Sequence, residues 1–187
     1  MGDPRRIRKK FKRPKKLWDK LRIIEEKKLK NEYGLKNMQS LWVARAELRK
    51  IRREARRILG IEEKEKEIAL KKINKKLARL NILPENASID DILSLNVKSI
   101  LERRLQTLVY RKGMAKTIRQ ARQLITHGFI AINGKRIKNP GYLVSVNEEN
   151  SIGYYKDPSS IFKEVKKEQE SAESVENEKE EENEEEG

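Results

Sequence analysis

Between Thr117 and Ile137 the chain carries a helix start, a helix stop and a hairpin turn in immediate succession, and few local structures satisfy all three. Thr117 followed by Gln120 is a capping box, in which polar side chains satisfy backbone N–H groups at the opening of a helix. Gly128 after His127 offers the left-handed residue that commonly closes one. On the predicted helix Ala121, Leu124 and Ile125 share one face, and Arg119, Arg122 and Gln123 share another. Phe129–Ile132 then reads as a strand, Asn133-Gly134 as a two-residue hairpin turn, and Lys135-Arg136-Ile137 as the returning strand.

The flanks extend the same unit. Asn96 is expected to cap a helix running to about Lys112 and ended by Gly113, with Ile100, Leu101, Leu105, Leu108 and Val109 inward. Arg103, Arg104, Arg111 and Lys112 are then left outward. Asn139-Pro140-Gly141 turns the chain again, and two further short strands fit around Val144 and Ile152. The predicted product is two helices against a small twisted sheet, with cations on one helix face, in the connecting loop and beside the hairpin tip.

Upstream the pattern is helical and basic. From Leu41 the apolar positions Leu41, Ala44, Leu48, Ile51, Ala55 and Ile58 alternate steps of three and four, laying one stripe along a helix that Ser40 is expected to cap. Its other faces hold Arg45, Arg49, Lys50, Arg52, Arg53, Arg56 and Arg57, against Glu47 and Glu54. We read Arg45, Arg49, Arg52, Arg53 and Arg56 as candidate phosphate contacts. A second helix is predicted over about Glu62–Leu80 with Ile68, Ile73, Leu77 and Leu80 apolar, and Ser88 with Asp91 opens a short one over Ile89–Leu95. An earlier helix over Asp19–Glu32, ended by Gly34, places Leu21, Ile24 and Lys28 on one face. Before it, Pro4 and Pro14 favour an extended basic arm, in which Phe11 and Trp18 either stack on bases or pack on the body.

The charge is unevenly distributed. Residues 1–60 carry 22 Lys/Arg against 7 Asp/Glu, residues 61–163 carry 20 against 11, and residues 164–187 carry 3 against 12. The part able to fold is therefore far more basic than the formal +15 of the whole chain. Such a field attracts polyanions; nucleic acid is the default partner, with an anionic membrane surface as the rival. The longest apolar runs, Leu41–Ala44 and Phe129–Ile132, are far short of the roughly 20 residues of a bilayer span. The basic start has no apolar segment behind it and so is not read as a secretory signal. The tail from about Glu164 is Glu-rich and poor in apolar residues, and is expected to stay disordered.

Zero cysteines exclude thiolate metal sites and cysteine nucleophiles, and one histidine, His127, makes a multi-His site or a conventional triad hard to build. His127 is expected either to satisfy carbonyls at a helix end or to meet RNA; Tyr154 and Tyr155 either pack on the sheet or stack on bases.

The segment from Glu102 through Val144 resembles the S-four RNA-binding domain. The resemblance rests on Arg104-Leu105, Arg119, Ala121, Arg122, Leu124-Ile125, Gly128 and Ile132-Asn133-Gly134. With the basic start MGDPRRIRKKF and Leu41–Gly60 added, the chain is similar to the archaeal type of the small-subunit ribosomal protein S-four family. This resemblance implies a structural constituent of the small ribosomal subunit, in the cytoplasm and among other small-subunit proteins. It further implies a primary binder of small-subunit rRNA that nucleates subunit assembly and contributes to translational accuracy. Carried over residue by residue, the phosphate-contact candidates are Arg104, Arg111, Lys112, Lys116, Arg119, Arg122, Gln123, Lys135 and Arg136. Bacterial relatives can hold zinc through N-terminal cysteines; no zinc and no other cofactor are expected here.

The expected fold class is α+β: a basic helical N-terminal region, a small two-helix plus short-stranded-sheet RNA-binding domain, and an acidic tail. The expected divisions are residues 1–40 as arm and first helix, 41–95 as basic helical region, 96–163 as the S-four-like domain and 164–187 as tail. Three rivals remain in view. Similar domains occur on pseudouridine synthases and tyrosyl-tRNA synthetases, but residues 1–95 offer no Gly-rich phosphate loop or acid–base cluster, so no enzyme and no small-molecule substrate are expected. Another is an RNA-binding factor that visits ribosomal subunits without belonging to them; a third, DNA compaction, fits the charge alone and gains nothing from the domain resemblance.

Overall fold

A computed structural model describes residues 10–156. Residues 1–9, with most of the arm's arginines, and residues 157–187, with the tail for which disorder is expected, lie outside the described residues.

Helix α1 (Lys20–Glu32) is capped by Asp19, whose carboxylate accepts from the Arg22 N–H. The inward face of α1 runs through Arg22, Glu26 and Leu29 to Tyr33 just past its end, and the face that carries Leu21, Ile24 and Lys28 stands exposed. Glu26 is fully buried and is satisfied by three donors. These are Arg22 at 2.9 Å, Trp42 Nε1 at 3.3 Å and Arg45, the last two from the next helix.

That helix, α2 (Met38–Leu59), buries Leu41, Ala44, Leu48, Ile51, Ala55 and Ile58, the whole expected stripe. The cap is corrected: Asn37, in extended conformation, accepts from the Ser40 N–H at 3.2 Å, and Ser40 lies inside the first turn. Helix α3 (Glu63–Arg79) returns against α2 through Ile73 and Leu77. Ile68 does not join them. It lies five positions before Ile73, roughly 140° round the helix, and stays exposed. Asn74, buried on α3, donates to the carbonyls of Glu85 and Ala87 and so fixes the connector into α4 (Ile89–Ser94). There Ser88 and Asp91 form the expected capping box.

The helix expected from Asn96 to Lys112 is broken in two. Helix α5 (Val97–Glu102), without a side-chain cap from Asn96, stops at Arg103, and α6 (Leu105–Arg111) starts after Arg104. No glycine or proline causes this. The returning chain claims the backbone instead: Leu105 N–H donates to Tyr142 O at 2.8 Å, Val144 N–H donates to Arg103 O at 3.0 Å, and Arg104 bridges Leu143. The strand expected around Val144 is reduced to this single bridge for the same reason.

Helix α7 (Ile118–His127) ends at Gly128, with φ of 80°. Strands β1 (Ile130–Ile132) and β2 (Lys135–Arg136) form the hairpin, with Asn133 and Gly134 at φ of 51° and 73° as the tight turn requires. A short helix, α8 (Val146–Glu149), precedes β3 (Ile152–Tyr154), which pairs antiparallel with the other edge of β1, giving the order β2-β1-β3.

Two apolar cores result. The first joins Tyr33, Leu35, the α2 stripe from Leu41 to Ala55, Leu77, Ile92, Ile100 and Leu101; the second joins Leu105, Val109, Leu124, Ile125, Ile130, Ile132, Val144 and Ile152. Each fully buried Leu or Ile stabilises by about 1.5–3 kcal/mol relative to exposure, so both cores contribute substantially. Gln106 couples them: its buried amide donates to Gly34 O at 3.0 Å and to Ile118 O at 2.9 Å.

Candidate nucleic-acid interface

Helix α7 holds the site's geometry. Thr117 Oγ1 accepts from the Gln120 N–H at 3.1 Å, while Gln120 Oε1 accepts from the Lys116 N–H at 2.7 Å, one residue earlier than the usual reciprocal bond. Lys116 is therefore held at the helix entrance with its side chain exposed. Ala121, Leu124 and Ile125 are buried, which fixes the helix's rotation and leaves Arg119 and Gln123 exposed and Arg122 half-buried.

Arg119 and Arg122 face a cleft of about 620 Å³ whose opposite wall is the end of α1: Lys30, Asn31, Gly34, Leu35 and Lys36. The sequence reading missed Lys30 and Lys36. The signal was Gly34 between them. At φ of 55°, a Cβ there would lie 2.7 Å from Ile118 Cγ2, so the chain can approach α7 this closely only through glycine. Four cations thus converge on one opening, and among the described residues no acidic side chain lines it.

Arg104 departs from expectation. It is 8% exposed, not outward, because the β-bridge to Leu143 draws its backbone into the body, and its Nε lacks a hydrogen-bond partner. Burial, and then the neighbouring charge of Arg122, pull its pKa down, against the opposing pull of Glu47. Arg103, also expected outward, is 7% exposed and bonds Glu149 at 2.7 Å.

The other candidates divide. Arg111 pairs with Glu102 at 2.9 Å, and Lys112 donates to the Glu149 carbonyl, so both sit beside acids, away from the α7 cleft. Lys135 and Arg136 are exposed on β2, and Arg136 is held by a 2.8 Å bond to His127 O across Gly128. His127 is exposed and its carbonyl, not its ring, is what the fold uses. On α2, Arg45 is taken up by Glu26 and Arg52 by the Leu95 carbonyl, leaving Arg49, Arg53 and Arg56 exposed. Tyr154 spans to Met114 O at 2.6 Å, a packing role. Phe11 packs against Trp42 with the ring centroids 5.8 Å apart and the planes tilted by 43°, and so lies on the body.

The model of the S4 domain family matches residues 103–150, the stretch that contains this helix, hairpin and bridge. Over a longer stretch, the small ribosomal subunit protein uS4 of Ignicoccus hospitalis is 53% identical across 154 residues, covering 82% of this chain and 93% of that relative. The uS4 protein of Saccharolobus solfataricus is 50% identical over 156 residues, covering 83% and 86%. The chain belongs to the uS4 family.

The uS4 match extends well beyond the S4 domain, so it takes in most of the helical N-terminal region that forms the far wall of the cleft. Among the described residues no cluster of His, Cys, Asp or Glu could hold a metal ion, and no helix is long and apolar enough to cross a membrane.

Proposed function

We propose that this uS4-family chain is a structural constituent of the small ribosomal subunit and a primary binder of its rRNA, gripping folded RNA through phosphates. One observation carries the reading: the cleft between α1 and α7, where Lys30, Lys36, Arg119 and Arg122 converge with no acid among the described residues that line it. Phosphate contacts position a protein without reading bases, so selectivity comes from the shape of the RNA that fits between the two walls.

In this reading the contact set is Arg104, Lys116, Arg119, Arg122, Gln123, Lys135 and Arg136, with Arg49, Arg53 and Arg56 extending it along α2. Arg111 and Lys112, beside Glu102 and Glu149, serve at its margin. Residues 96–163 act as the RNA-gripping unit, 41–95 as its basic helical support and 1–40 as arm and first helix. The chain acts by binding and not by catalysis, consistent with relatives that are ribosomal proteins. Nucleation of subunit assembly, a contribution to translational accuracy, contacts with other small-subunit proteins and residence in cytoplasmic subunits complete the proposal.

The test is binding of the full chain to archaeal small-subunit rRNA over a salt series. Each neutralised phosphate contributes a log–log slope of about −0.7 to −0.9, so affinity should fall steeply with salt. A flat dependence, or failure of the protein to sediment with small subunits at low salt, would refute the reading.

A further inference from the structure

Ahead of α1 the chain holds one large aromatic out in solvent. Trp18 is 89% exposed, while other aromatics of the N-terminal region are absorbed: Phe11 and Trp42 pack on each other, and Tyr33 is buried. Leaving an indole in water forfeits the burial that drives folding. Its backbone is nonetheless fixed. Arg22 Nη2 donates to Lys16 O at 2.9 Å and to Leu17 O at 3.0 Å, while its Nη1 pairs with buried Glu26. Glu26 in turn is held by α2 through Arg45 and Trp42, so the turn bearing Trp18 is tied to the first core.

From this we infer that Trp18 is a base-stacking platform for an unpaired nucleobase of the small-subunit rRNA. The inference rests on the RNA-binding reading above. What commits the surface to RNA is charge: besides Arg22, which pairs with Glu26, residues 10–24 hold six Lys/Arg against Asp19 alone. Exposed Leu17, Leu21 and Ile24 lie close to Trp18 in the sequence and would suit an apolar protein surface, but a neutral partner would leave those cations uncompensated. A nucleotide answers both demands at once, placing its base on the indole and its phosphates among the lysines. Stacking of this kind is tolerant of base identity, which matches recognition by shape.

Full-length wild type, Trp18→Ala and Trp18→Phe would be titrated with an archaeal small-subunit rRNA transcript over a salt series. Alanine should weaken binding roughly 5- to 150-fold, the equivalent of one lost stack, whereas phenylalanine should keep most of the affinity. The log–log salt slope should not change, because the indole carries no charge. The chain has two tryptophans, so in a Trp42→Phe background the same RNA should quench the remaining Trp18 fluorescence. Unchanged affinity and no quenching, with wild type still binding the transcript, would overturn the stacking role and leave the RNA reading intact. So would unaltered RNA affinity in Trp18→Ala together with lost binding to another small-subunit protein or to a second copy of the chain. Failure of the wild type to bind the transcript would remove both.

Discussion

The side-chain amide of Gln106 donates to the carbonyl of Gly34, joining residues 72 positions apart, and the same amide donates to Ile118 at the start of α7. One group thus sets the distance between the two walls of the cleft. Gln106→Leu keeps comparable bulk and leaves both carbonyls without this donor. A partly buried acceptor left unsatisfied costs about 1–3 kcal/mol, so denaturant unfolding should show a loss in that range. Hydrogen exchange should loosen first around Gly34 and Ile118.

Gly128 and Gly134 separate two effects of adding one methyl group. Both have positive φ, which costs an L-residue about 1–2 kcal/mol. Around Gly134 a Cβ meets nothing within 4 Å, but at Gly128 it would lie 2.6 Å from Arg136 Cζ. Both alanine variants should lower the unfolding free energy by similar amounts, because the arginine tip can swing away. Only Gly128→Ala should also displace Arg136 and weaken RNA binding, read by titration at fixed salt.

Arg119→Ala with Arg122→Ala should leave the fold intact, since the buried face of α7 is Ala121, Leu124 and Ile125. Affinity for structured rRNA should fall, and the log–log salt slope should become shallower by about 1.4–1.8 for two lost phosphate contacts. Circular dichroism and thermal melting check the first expectation, a salt series the second. Unfolding of the double variant would mean that the helix faces are wrongly assigned.

Arg104→Met tests a buried charge. Burial, then Arg122, depress its pKa in the fold, so the charge is harder to hold there than in the unfolded chain. That opposition to folding is present at every pH below the lowered value, including neutrality. Methionine keeps much of the bulk and removes the charge. Thermal stability should therefore hold or rise while RNA affinity falls.

Acid should weaken two helix caps. Ser145's backbone N–H, then its hydroxyl, hold Glu148 below the ordinary carboxyl value of 4.5, and Ser88, first through its hydroxyl and then its backbone N–H, lowers Asp91 in the same way. Each folded-state pKa is depressed, so the stabilisation is full above the unfolded value and is lost as pH falls through the folded one. Asp91→Asn with Glu148→Gln should be less stable at neutral pH and show a shallower decline of melting temperature below pH 4.5. Scanning calorimetry across that range decides it.

Local rules recovered what local rules determine. The α2 stripe was legible because each apolar position follows the helical repeat, and the hairpin because Asn133-Gly134 accepts positive φ at both residues. The break at Arg103–Arg104 was not, since its cause lies in Tyr142, Leu143 and Val144, some forty positions on. Arg103 turned inward for a carboxylate at Glu149, and Arg45 for one at Glu26, pairings that composition alone does not reveal. The cleft was half visible: α7's cations follow from its periodicity, whereas Lys30 and Lys36 join them only through the close approach at Gly34.

Sinking Arg104 beneath the surface divides the molecule's cations into two populations. Mobile ions crowd around the exposed lysines and mute them as the medium grows saltier, but they reach an interior guanidinium far less. A grip built from both would loosen by degrees and then persist, keeping a residual hold on its ligand in brines that strip away the rest.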